Sequence, residues 1–137
     1  MAQMQKEILA SFRKKIQEDI TPLDVVASIL YFFGDDAKFT TNYEKLHQAF
    51  FRMKENLLLK EFQFREGGPY PYSELLENVF SRLAISGLLG CQNPDYRQFT
   101  INKGQRGRIE AGSLKKFSGE QIRELKSISR EIQENLQ

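Results

Sequence analysis

Apolar residues in the opening stretch recur at helical spacing. Met4, Ile8, Phe12 (with Leu9) and Ile16 share one face of Met4 to Glu18, with Lys6, Arg13, Lys14 and Glu18 elsewhere, which predicts an amphipathic helix. Its apolar face is narrow and acids are mixed into it, so a docking extension fits better than a membrane-surface helix. A second helix has a well-marked start. Thr21 is a good cap, Pro22 suits the first helical position and Asp24 sits in the positive first turn. Val25 to Phe33 is apolar on nearly every side, so this helix is expected at the centre of the domain, with Gly34 as its stop.

Ala37 to Thr40 has the length of a short strand. Thr41 or Asn42 then caps a helix whose buried stripe is expected to be Tyr43, Leu46, Phe50 (with Ala49), Met53 and Leu57. Phe62 and Phe64 alternate with Glu61, Gln63 and Arg65, the period of an extended segment, and Gly67-Gly68-Pro69 breaks it. Pro69 and Pro71 hold Tyr70 and Tyr72 extended ahead of a helix capped by Ser73. Its inner face reads Leu76, Val79, Phe80, Leu83 and Ala84, and Gly87 ends it. Leu88-Leu89 and Phe99 to Ile101 are predicted strands joined by a turn at Asn93-Pro94-Asp95, where Pro presets one torsion and Asn and Asp bond back to local amides.

Helix, short strand, helix, helix, strand, wing and returning strand is the order of a winged helix-turn-helix domain. The expected class is α+β, mostly helical, with an added helix at each end. Residues 1–19 form the N-terminal helical extension, 20–103 the winged-helix domain, and 104–137 a basic loop and C-terminal helix. Asn102 to Lys116 is Gly-rich and basic and reads as a loop. Ser118 with Gln121 makes a capping box for a last helix to about Asn135. Ile122, Leu125, Ile128 and Ile132 run along that helix, either as a lid on the domain or as a dimer contact. A homodimer through the terminal helices is the expected assembly.

Composition narrows the function classes. At 137 residues, 40% hydrophobic with eleven Phe and five Tyr, the chain can fill one compact core. The net charge of +2 does not announce a nucleic-acid binder, so any such role must come from local clustering. Cys91, the single cysteine, excludes an internal disulfide and disfavours a thiolate zinc site. The start of the chain is too polar for a signal-peptide core, and no apolar run approaches a membrane span, so a cytoplasmic location without a membrane partner is expected.

The case for DNA rests on the wing and the segment after it: Arg97, Lys103, Arg106, Arg108, Lys115 and Lys116, opposed within that span only by Glu110. Such cations would neutralise phosphates and release counterions. Asn78 and Arg82 on the preceding helix could read adenine and guanine edges, but Glu74 and Glu77 near its start would repel phosphates. Tyr70 and Tyr72, with Phe62 and Phe64 upstream, form a second candidate surface that can anchor a protein partner or stack on bases, against the simpler reading that they pack over the next helix. His47, the only histidine, has no carboxylate pair, serine or metal-ligand repeat beside it in the sequence, and the Gly104 to Gly107 stretch lacks the Lys-Ser/Thr of a phosphate loop. No catalytic residues, metal or cofactor are therefore expected.

Two pieces of sequence resemble the Panacea-type (SocA-like) antitoxin family among small prokaryotic winged-helix proteins. Tyr43-Glu44-Lys45-Leu46-His47-Gln48-Ala49-Phe50-Phe51 is similar to that family's Leu-Gln-Lys-Leu-Leu-Tyr helix. Phe62-Gln63-Phe64 followed by Gly68-Pro69-Tyr70 is similar to its Gly-Pro-Tyr segment, ahead of a helix ending in Gly87-Leu88-Leu89. The likeness spans about residues 23–101. It departs at Gln48, where the family has Lys, and at the extra Pro71-Tyr72. The resemblance implies a partner-binding role, often beside a toxin or protease adaptor, rather than catalysis.

Overall fold

The computed structural model describes residues 20–34, 37–91, 97–102 and 104–136. The expected N-terminal helix of Met4 to Glu18, the Asn93-Pro94-Asp95 turn and Lys103 lie outside them. The described residues form five α-helices and three short strands: α1 Pro22–Tyr31, β1 Lys38–Thr40, α2 Tyr43–Phe51, α3 Glu74–Ile85, β2 Leu89–Cys91, β3 Gln98–Ile101, α4 Arg106–Ala111 and α5 Gly119–Leu136. Single 3-10 turns lie at Leu57–Leu59 and Leu114–Lys116.

The local start signals act as the sequence predicts. The Thr21 and Asp24 side chains accept from each other's backbone N–H groups, a reciprocal box at the start of α1. Asn42 caps α2, Ser73 caps α3, and Ser118 and Gln121 close a second box ahead of α5. With nearly every flank of α1 apolar, the helix sits inside the domain: Val25, Val26, Ala27, Ile29 and Leu30 are buried, and α3, α4 and α5 all pack on it.

The sheet is antiparallel in the order β1-β3-β2, with Phe39 opposite Phe99 and Leu89 opposite Ile101. β3 thus lies between two strands far apart in sequence. At the other end, the Asn102 amide donates to Gly87 O at 2.6 Å, closing the turn out of α3, where Gly87 has φ 83°. A Cβ on Gly90 would meet the Asn102 side-chain oxygen at 2.3 Å, so any side chain there would have to push the Asn102 amide aside.

Three expectations are corrected. Arg106–Ala111 is a helix, not a loop, and Ile109 anchors it in the core. Arg106 donates to Tyr31 O at the end of α1, while Ser113 and Lys116 reach Asp24 at its start. Residues 106–116 therefore run antiparallel along α1. Second, Leu125, Ile128 and Ile132 are buried against α1 and α2 of their own chain, and Ile122 is half-buried, so α5 is the lid and these side chains are not a dimer seam. Ser129 donates to Ile29 O at 2.8 Å and Gln133 to Phe33 O, which sets α5 parallel to α1. Third, Leu57 is 79% exposed: α2 stops at Phe51, the helical period lapses, and Leu59 in the 3-10 turn takes the buried place. Ala84 likewise faces outward on α3.

Asp24 joins two of these features. Burial alone would raise its carboxyl, but the Thr21 amide, Lys116, the Ser113 hydroxyl and the Thr21 hydroxyl outweigh it and hold it below its ordinary value of 3.8. A carboxyl with a lowered folded-state value stabilises the fold above its unfolded value and loses that contribution as pH falls through the folded one. Stability should therefore drop as pH falls below about 4. Asp24→Asn should cost about 1–3 kcal/mol at neutral pH and give a flatter acid limb in urea melts followed by circular dichroism.

Candidate functional site

The most structured surface lies where the Gly-Gly-Pro segment meets the start of α3. Arg65 and Tyr72 exchange backbone hydrogen bonds at 2.8 and 3.1 Å, so residues 65–72 close as a small hairpin with the glycines and Pro69 at its tip. The two Pro residues restrict the returning arm, and Ser73 then caps α3 directly.

His47 supports this hairpin from below. It is fully buried on α2, with Nδ1 2.7 Å from Tyr43 O and Nε2 3.0 Å from Ser73 O. A neutral imidazole donates through whichever nitrogen holds its proton; the doubly protonated ring donates to both carbonyls. The Tyr72 ring stacks on the imidazole at 5.0 Å and 18°, with Tyr70 at 5.7 Å. The Tyr72 hydroxyl donates to Glu77, whose carboxylate pushes the phenol up to about 12. One buried histidine thus ties α2, the hairpin and the capping residue of α3 together. Tyr70 and Tyr72 are half-buried, packed on His47 and on each other, with Tyr72 also tied to the first turn of α3.

Two cavities flank the hairpin. One of about 350 Å³ is lined by Arg65, Gly67, Gly68, Pro69, Tyr70 and Tyr72. The other, about 450 Å³, runs from Glu61 and Gln63 to Glu74, Leu75 and Asn78. Glu74, Asn78 and Arg82 are exposed at four-residue steps on α3, and Ile85 beyond them is 86% exposed. This face mixes acid, amide, base and hydrocarbon.

The basic candidates do not form one set. Arg106 lies over the Tyr31 ring at 4.0 Å, and Tyr31 donates to Glu110, which raises the Tyr31 phenol. Lys116 pairs with Asp24 at 2.9 Å. These two fasten residues 106–116 to α1. Arg82, Arg97, Arg108 and Lys115 are exposed, with Arg108 donating to Gln105.

Among the described residues no group of three or more His, Cys, Asp or Glu is placed to hold a metal ion. No described helix is long and apolar enough to cross a membrane. The chain matches no protein-family model, no curated protein and no solved structure.

Arg65, Glu77 and His47 are the residues that sequence reasoning missed here. The signal for His47 was its place between Leu46 and Ala49 on the buried side of α2, four residues after Tyr43. His47→Leu keeps the bulk and removes both polar contacts. It should destabilise the fold by about 1–3 kcal/mol, read as a lower urea midpoint at unchanged slope.

Proposed function

We propose that this chain is a non-catalytic winged-helix module that binds a protein partner through the 65–72 hairpin and the exposed face of α3. The observation that carries this reading is the rigid aromatic hairpin with a cavity on each side, continuous with Glu74 and Asn78. Aromatic anchors held in place lose little entropy on binding and are the residue type that dominates protein interfaces. Glu74 at the start of α3 repels phosphate and suits a polypeptide. The helix–strand–helix–helix–strand–strand order and the β1-β3-β2 sheet support the winged-helix class, and the resemblance to Panacea-type antitoxins points the same way.

A second reading, DNA binding in a regulatory or antitoxin-like role, is favoured by the exposure of Arg82, Arg97, Arg108 and Lys115. With Arg106 and Lys116 committed to α1, the basic surface is smaller than the sequence count implies.

Affinity capture on the tagged chain from its native cells separates the two. The protein reading expects one stoichiometric protein that survives nuclease and is reduced about tenfold by Glu74→Arg with Asn78→Arg, a change equivalent to about 1.4 kcal/mol. Loss of the captured protein on nuclease treatment, or its persistence in that variant, would overturn it. For the second reading, mixed-sequence duplex DNA should shift at low salt. Its affinity should fall steeply as salt rises and fall further in Arg97→Ala/Arg108→Ala/Lys115→Ala.

A further inference from the structure

The outward face of α3 carries its charges in an order that fits a copy of itself. Glu74, Asn78, Arg82 and Ile85 are all exposed, while Leu76, Val79, Phe80 and Leu83 point into the core. At about 100° per residue the four exposed positions span roughly 80° of the helix surface, so they form one stripe. Among the described residues, the side chains of Glu74, Asn78 and Arg82 make no hydrogen bond and no ion pair. Glu74 and Arg82 lie about 12 Å apart along the axis, beyond the three- and four-residue steps at which side chains of one helix meet.

The stripe is symmetric about its middle. Asn78 stands four residues after the acid and four before the base. A two-fold axis through Asn78, perpendicular to α3, sets Glu74 of each copy on Arg82 of the other and Asn78 on its own counterpart. An asparagine suits that place, because its amide offers both a carbonyl acceptor and NH2 donors to an identical group. Ile85, beyond Arg82, then comes to the start of the other α3, beside the arm that bears Tyr70, Pro71 and Tyr72. That arm is half-buried and apolar, and the Ile85 side chain is 86% exposed in the single chain. An unrelated partner would impose no equal spacing of acid and base about an amide. A two-fold contact does, since the surface must complement itself.

We infer that the partner at this face is a second copy of the chain, joined through a symmetric antiparallel pair of α3 helices. Glu74 meets Arg82 twice, Asn78 meets Asn78, and Ile85 covers the hairpin arm of the other copy. The inference rests on the protein-binding reading above and names the partner. A contact made by one twelve-residue helix and a hairpin arm belongs to the small, reversible class of interfaces, so the pair forms as concentration rises.

Sedimentation velocity on the purified full chain, from about 1 μM to about 1 mM, covers the affinities of that class. The chain should pass from one copy to two across this range. Glu74→Arg and Arg82→Glu should each weaken the pair about tenfold or more, since each sets two like-charge contacts across the axis. An equimolar mixture of the two variants should recover a heterodimer, and the doubly swapped Glu74→Arg/Arg82→Glu chain should recover the homodimer. Ile85→Ser should weaken the pair with an unchanged thermal melt, which keeps the test open if a charge variant folds poorly. A chain that stays single throughout, a pair indifferent to a single swap or to Ile85→Ser, or a mixture or double swap of folded chains that recovers nothing would each overturn the inference. A chain that stays single while capture still recovers a different, nuclease-resistant protein, lost in Glu74→Arg/Asn78→Arg, would remove the second-copy assignment and leave the protein-binding reading standing.

Discussion

The fold depends on the packing of Phe99. Strands of three and four residues cannot hold a sheet by hydrogen bonds alone, since so few backbone pairs do not offset the entropy of ordering them. Phe99 supplies what is missing. It lies 5.5 Å from its cross-strand partner Phe39 and stacks on Phe80 of α3 at 6.2 Å and 18°; Phe80 in turn meets Phe50 of α2 edge-on at 6.0 Å, and Phe39 meets Phe33 after α1 at 5.4 Å. The sheet is therefore held face-down on three helices by one connected set of rings. The same set orients α3, because a helix with Phe80 and Leu76 locked inward must turn Glu74, Asn78 and Arg82 outward.

Charge is governed by a parallel constraint at Asp24. A buried carboxylate needs partners, and here they come from its own capping box and from ninety residues away. Satisfying Asp24 draws Ser113 and Lys116 onto α1, and Arg106 fixes the other end of the same segment on Tyr31. A run of cations that reads as available for phosphate is thereby divided into those that hold the domain together and those that face outward. Counting basic residues along a chain overstates the basic surface whenever a buried acid lies within reach in space.

This difference marks where the sequence was legible. Caps at Thr21, Asn42, Ser73 and Ser118 act over three residues, so the residue types themselves declare them. β2 and β3 could be placed because Gly87 ends α3 and Phe99 alternates with polar neighbours. Residues decided by distant contacts were opaque. Arg106–Ala111 contains Gly107, lies between Gly104 and Gly112 and has no side-chain cap, and its helix exists because Ile109 and Arg106 find α1. Leu125, Ile128 and Ile132 carry the same spacing whether they meet a second chain or their own core. Leu57 fell on a continued helical wheel that the backbone abandons at Phe51. For the candidate site, Tyr70 and Tyr72 were visible as an unusual aromatic pair. Arg65 was not, since only closure of the hairpin brings it beside them.

The position of His47 explains why a glycine- and proline-rich segment can act as a defined surface at all. Two glycines at a loop tip would ordinarily leave the backbone many conformations to lose on binding. Here the arms are held by the Arg65–Tyr72 pair, and Tyr72 is held again by a ring on one side and a carboxylate on the other. The imidazole also contacts the carbonyl of Ser73, so the hairpin and the first turn of α3 share one anchor.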